Sequence, residues 1–158
     1  MNIPCDLQIP DAASMRALGE HLAAQAVAGD LFVLTGSLGA GKTTLVQGMA
    51  QALGIPERIT SPTFVLMRSY RTDRGIELVH VDAYRVHTGV EIDDLDIDIA
   101  TCITAVEWGA EAAPRLADRW LAIHITADEG IENLRHVSIR EVVNPDLVGQ
   151  LPLSDEQG

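Results

Sequence analysis

The chain has 158 residues, 47% of them hydrophobic, which is enough for one domain with a real core and too little for two. Its 23 Asp and Glu against 11 Lys and Arg give a formal net charge of -12, the wrong sign for unaided binding to a nucleic acid. No apolar run approaches the roughly 18 residues of a membrane span, and Met1-Asn2-Ile3-Pro4-Cys5-Asp6 lacks the basic-then-apolar order of a secretory leader, so a cytoplasmic chain with no membrane association is expected.

Residues 5–9 read as a short edge strand closed by Pro10. Asp11 is the expected N-cap of a helix to about Val27, with Met15, Leu18, Leu22 and Ala26 on one face. Leu31 to Thr35 is a short apolar run between turn signals, the profile of a strand buried on both faces. A glycine-rich loop follows, then a helix from Lys42 to Leu53 with Leu45, Met49 and Leu53 stacked and Gly54 at its end. Pro56 and Pro62 bracket a loop. Phe64 to Tyr70 and Ile76 to Asp82 are strand-like and joined across Thr72-Asp73-Arg74-Gly75, so a hairpin and hence a mixed sheet are expected.

Val90 to Asp98 is acidic and reads as a short helix; Cys102 to Glu107 is a buried strand; Trp108 to Leu116 is expected to be helical around Pro114. Trp120 to Thr126 and Leu134 to Glu141 complete the sheet, and from about Asn144 the chain is polar and expected to fray. Cys5 and Cys102 belong to no CxxC or Cys/His cluster and read as ordinary thiols, buried or half-buried.

Gly36-Ser37-Leu38-Gly39-Ala40-Gly41-Lys42-Thr43 fits the phosphate-loop pattern G-x-x-x-x-G-K-T, between a buried strand and an amphipathic helix. A chance match in a chain of this length has a probability on the order of 0.5% before that context is required, which leaves little room for an incidental glycine turn. The glycines let successive N–H groups face one concavity, and the following helix directs its positive end there. Lys42 then reaches the β and γ phosphates of a nucleoside triphosphate, ATP, and the Thr43 hydroxyl ligates Mg²⁺. Thr44 is one residue too late for the metal and packs or caps at the end of the nucleotide-binding stretch.

Such a site needs an acid at the end of a neighbouring strand. Asp82, after Leu78-Val79-His80-Val81, and Glu107, after Ile103-Thr104-Ala105-Val106, both qualify, and spacing ranks neither above the other nor above a solvated carboxylate. Thr60-Ser61-Pro62-Thr63-Phe64 suits a loop that orders around a γ-phosphate, or an ordinary turn into a strand. Period-two alternation puts His80, Asp82 and Tyr84 on one side, and Arg85 either neutralises phosphate or pairs with a nearby acid. The acidic run 91–98 reads as a solvated face, with a partner surface as the sharper alternative. Trp108 and Trp120 read as core anchors; His21, His87, His124 and His136 have no metal-like spacing. The chain lacks the Asn/Thr-Lys-x-Asp element that reads guanine and the Ser-Gly-Gly signature of transporter ATPases, and its second half has few of the clustered arginines of a small-molecule kinase lid.

Gly-Ser-Leu-Gly-Ala-Gly-Lys-Thr-Thr (36–44), Ser-Pro-Thr-Phe (61–64), His-Val-Asp-Ala-Tyr-Arg (80–85), Glu-Ile-Asp-Asp-Leu (91–95) and Val-Glu-Trp (106–108), five blocks in order, resemble the TsaE family of P-loop ATPases needed for threonylcarbamoyladenosine in tRNA. The resemblance implies a three-layer P-loop NTPase-like α/β fold with a mixed central sheet; one domain is expected over residues 1–143, and the polar composition after it predicts a partly flexible tail over 144–158. It implies ATP hydrolysis with Mg²⁺ in a complex with TsaD-like and TsaB-like subunits, tRNA being reached only through that complex. Carried over, Lys42 and Thr43 keep their roles, Glu107 becomes the preferred metal-associated acid, Asp82 the second essential carboxylate organising water or metal, and Thr63 the γ-phosphate sensor. Tyr84, Arg85 and Trp108 match family positions, and Arg135 matches a late arginine near the nucleotide. Ser37 stands where the family loop commonly has Asp, and Ser14-Met15 where a threonine usually opens the first helix.

Overall fold

Leu31–Gly36, the most apolar run before the glycine loop, forms strand β2 at the centre of a seven-stranded sheet in a computed structural model that describes residues 1–61, 66–84 and 92–148. The other strands are β1 (Cys5–Ile9), β3 (Met67–Arg71), β4 (Glu77–Asp82), β5 (Cys102–Glu107), β6 (Arg119–Ala127) and β7 (Arg135–Val143), in the spatial order β1-β7-β6-β2-β5-β4-β3. β6, β2, β5 and β4 run parallel; β3 on one side and β7 and β1 on the other join antiparallel, so the sheet is mixed as expected.

Alternation along β2 builds two cores. Phe32 and Leu34 pack with Met15, Leu18 and Leu22 of helix α1 (Ala12–Ala24) and with Leu45, Val46 and Met49 of helix α2 (Lys42–Ala52). Leu31 and Val33 face the other side, with Val79, Val81, Val106, Trp120, Ile92 and Ala113 of the short helix α3 (Ala113–Leu116). The result is a three-layer α/β fold. On the first face α1 and α2 touch backbone to backbone: a Cβ on Gly48 would lie 1.9 Å from the Arg16 carbonyl oxygen, and one on Gly19 2.0 Å from that of Leu45.

Asp11 caps α1, its carboxylate accepting from the Ser14 N–H at 2.7 Å. The helix stops at Ala24, short of the expected Val27. Arg74, from the β3–β4 turn, donates to the carbonyls of Ala23, Ala24 and Ala26, and the Asp30 carboxylate takes the Val27 N–H, so the ends of the chain's polar groups are met without another helical turn. The hairpin expected from Thr72-Asp73-Arg74-Gly75 is present, with Met67 opposite Val81 and Arg71 opposite Glu77; Phe64 and Val65, expected in its first strand, lie outside the described residues.

The helix expected from Trp108 to Leu116 is reduced to α3. Trp108 adopts a left-handed conformation (φ 60°) while its N–H donates to the Leu34 carbonyl at 2.8 Å, which ties it to the end of β2 instead of starting a helix. Helical structure begins only where Pro114, lacking an N–H, can occupy the first turn. In the acidic stretch, Ile92 and Asp93 are helical and Asp94-Leu95 turn; Val90 and Glu91 lie outside the described residues. Asn144, where fraying was expected to begin, is buried, donates its N–H to the Asp118 carbonyl at 2.7 Å, and leads into helix α4 (Pro145–Val148); residues 149–158 are not described. Cys5 is half-buried and Cys102 buried, where burial pushes its thiol pKa up. Among the described residues no helix is long and apolar enough to cross a membrane.

Candidate active site

The parallel strands β2, β5 and β4 end at the same edge of the sheet, and the residues at their ends form the site. Leu34 of β2 is the cross-strand partner of Glu107, and Glu107 that of Asp82, so the two acids stand side by side next to the loop that leaves β2. The loop turns through Gly36 (φ 151°), Gly39 (φ 75°) and Gly41 (φ 117°). A Cβ at Gly36 would lie 2.4 Å from the Ile125 carbonyl oxygen of β6, so this position admits no side chain even apart from its backbone angle. Gly41 caps α2 without a side chain, and the first-turn N–H groups of α2, which have no intrahelical acceptor, open onto the loop.

Lys42 is buried for a lysine, 5% exposed. Its Nζ donates to the carbonyls of Gly36 at 2.8 Å and Ser37 at 2.9 Å and lies 4.0 Å from the centroid of the Trp108 ring. Burial pushes its pKa below the usual lysine value, opposed by the charges of Glu107 and Asp82. The left-handed backbone at Trp108 sets its indole over the ammonium, and Tyr84 packs against the indole, centroids 4.9 Å apart at 52°.

Beside the lysine, the Thr43 hydroxyl donates to the Glu107 carboxylate, 2.9 Å from Oε1 and 3.1 Å from Oε2. On the other side of that carboxylate lies His80, fully buried, with Nε2 2.6 Å from Oε2. Asp82 accepts from the Ser61 hydroxyl at 3.1 Å and from the Tyr84 N–H at 2.9 Å, and so gathers both segments that flank it. Lys42, Thr43, Asp82 and Glu107 share a cleft of about 480 Å³ with Leu38, Gly39, Gly41, Thr44, Ser61, Tyr84 and Trp108. Among the groups lining it, a threonine hydroxyl and two carboxylates are the hard oxygen donors that suit Mg²⁺ held jointly with phosphate.

Of the remaining residues expected at the site, Gly36 and Ser37 contribute carbonyls to Lys42, while Ala40 of the same loop is buried. Arg135, expected near the nucleotide, donates its Nε to the Ala40 carbonyl at 3.1 Å and so braces the phosphate loop. At the replaced helix-opening position, Ser14 serves the α1 cap and Met15 packs beneath Gly41. Thr63 and Arg85 lie outside the described residues. Sequence reasoning assigned His80 no individual role and named Ser61 only as part of the 60–64 loop. For His80 the signal was its two-residue spacing from Asp82, but its partner Glu107 is on another strand and emerges only from the β4–β5 register.

The family model described as "Threonylcarbamoyl adenosine biosynthesis protein TsaE" matches residues 9–137. The chain belongs to the TsaE family. The tRNA threonylcarbamoyladenosine biosynthesis protein TsaE of Streptomyces coelicolor is 44% identical over 135 residues, spanning 79% of this chain and 88% of that protein. The protein of the same name from Mycobacterium bovis is 42% identical over 127 residues, spanning 74% and 76%. The crystal structure of Bacillus subtilis YdiB superposes with a TM-score of 0.70 at 25% identity, covering 95% of this chain and 96% of that one. The TsaE match contains the glycine loop, both strand-end acids and Arg135, whereas β1 enters it only at Ile9.

Proposed function

We propose that this TsaE-family chain takes part in threonylcarbamoyladenosine biosynthesis in tRNA as a Mg²⁺-dependent ATPase, slow alone and working with TsaD-like and TsaB-like subunits in the cytoplasm. The observation that carries the reading is the convergence of Lys42, Thr43 and Glu107 at the mouth of a glycine loop. The loop amides and the α2 N-terminus offer a local positive field in a chain whose net charge is -12. The same net charge disfavours direct tRNA binding, so tRNA is reached through the complex.

In this reading Lys42 moves its ammonium from the carbonyls of Gly36 and Ser37 to the β and γ phosphates, a short shift within the same loop. Thr43, Glu107 and Asp82 hold the magnesium or its waters, and the bound Mg²⁺ neutralises charge on the phosphates. Asp82 holds the Ser61 hydroxyl at the cleft, and Thr63 is the proposed γ-phosphate sensor. Trp108 lies over the lysine, and Tyr84 packs against Trp108. Phosphate release from ATP, measured with the two partner subunits present, tests the reading: Lys42→Ala should slow it by about 100-fold or more, and an unaltered rate would overturn the assignment.

A further inference from the structure

Glu107 is gripped from two sides, and only one grip belongs to the phosphate loop. Thr43 approaches from α2, whereas His80 approaches from within the sheet, on the face that also carries Leu78 and Ala105. His80 has no exposed surface, and Glu107 is 3% exposed. The cross-strand partner of His80 is Ala105, whose small side chain leaves room for an imidazole to slant across to Glu107 two residues on. The second ring nitrogen, Nδ1, is buried and finds no hydrogen-bonding partner among the described residues. Nε2 faces a carboxylate oxygen, which accepts, so it is Nε2–H that donates to Oε2.

An apolar residue would fill this place in the sheet as well as Leu78 fills its own. A buried histidine with one nitrogen unsatisfied and the other 2.6 Å from a site carboxylate is costly packing unless that contact is what the position supplies. From this geometry we infer that His80 is a positioning residue for Glu107: its Nε2–H fixes the carboxylate plane so that Oε1 stays turned to Thr43 and to the magnesium side of the cleft. The inference rests on the ATPase reading above. It assigns His80 no contact with nucleotide and no proton transfer.

The test measures ATP binding by titration calorimetry at graded Mg²⁺ and, separately, in EDTA, with thermal melting of each variant alongside. His80→Leu removes the donor; His80→Gln restores an N–H the same number of bonds from Cβ. His80→Leu should raise the Mg²⁺ needed for half-maximal ATP binding by about 10- to 100-fold, the usual effect of losing a residue that orients a metal ligand, and leave affinity in EDTA unchanged. His80→Gln should recover most of the loss. An unchanged Mg²⁺ requirement in His80→Leu, or an equal loss of affinity in EDTA, would overturn the role, the latter marking His80 as structural. Should His80→Leu fail to fold, His80→Gln decides alone: a wild-type Mg²⁺ requirement supports the inference and a raised one contradicts it. A wild-type protein that binds no ATP brings down the functional reading itself; a wild type that binds with Mg²⁺ beside an indifferent His80→Leu removes only the role given to His80.

Discussion

Lys42 and Trp108 face each other at the mouth of the phosphate loop, the ammonium 4.0 Å from the centroid of the indole. A cation over an aromatic face perturbs the ring electronically and is held there by about 0.5–2 kcal/mol. The proposed transfer of Lys42 to phosphate therefore changes the surroundings of Trp108. Titration with ATP and Mg²⁺ should alter tryptophan emission, and the response should survive Trp120→Phe, since Trp120 is a core residue, but vanish in Trp108→Phe. A response that persists without Trp108 would contradict the placement of the phosphates beside Lys42.

Thr43 and Glu107 act as one unit in this account, because each holds the other at 2.9 Å. Thr43→Ala and Glu107→Gln should each lower ATP turnover by about 10- to 100-fold. The double variant should be little worse than the poorer single one, as expected for residues in direct contact. Additive losses in a double-mutant cycle would show that the two work independently.

Asp128 closes the β6–β7 hairpin. It is held below the usual carboxylate range first by its hydrogen bond with His136 and then by those from the Gly130 and Ile131 N–H groups. A carboxylate with a depressed folded pKa stabilises the fold above its unfolded pKa of about 4, and that contribution is lost as pH falls through the lower folded value. Asp128→Ala should melt below the wild type at neutral pH, with the difference closing below about pH 4. A difference that stays constant on acidification would assign the effect to the turn backbone instead of the charge.

The α1–α2 contact should be intolerant of a single methyl group. Gly48→Ala places a Cβ 1.9 Å from the Arg16 carbonyl oxygen, backbone that cannot rotate away. The expected loss is about 1–3 kcal/mol, or roughly 3–10 °C in melting temperature, read by calorimetry. An unchanged melting temperature would mean that the two helices separate at little cost.

Much of this arrangement was legible because it rests on local signals. β2 announced itself by an unbroken apolar run, the loop by its glycine spacing, α1 by the Asp11 cap, and the β3–β4 hairpin by its turn residues. What was not legible depends on pairing between distant segments. His80 meets Glu107 through the register of two parallel strands, and Arg135 meets the Ala40 carbonyl across 95 positions of sequence. Trp108 escaped for a different reason: its left-handed backbone runs against residue preference, at a cost of about 1–3 kcal/mol, and is fixed by the hydrogen bond to Leu34. A helix was therefore expected where the chain uses a strained residue to aim an indole at the lysine.

The most direct measurement of the central claim is threonylcarbamoyladenosine formation on tRNA in a system reconstituted from this protein, TsaD-like and TsaB-like subunits, ATP and Mg²⁺. Lys42 is the residue that ties the loop carbonyls to Trp108 in the cleft it shares with the two acids. Lys42→Ala should abolish product formation; product at the wild-type level with that variant would contradict the account.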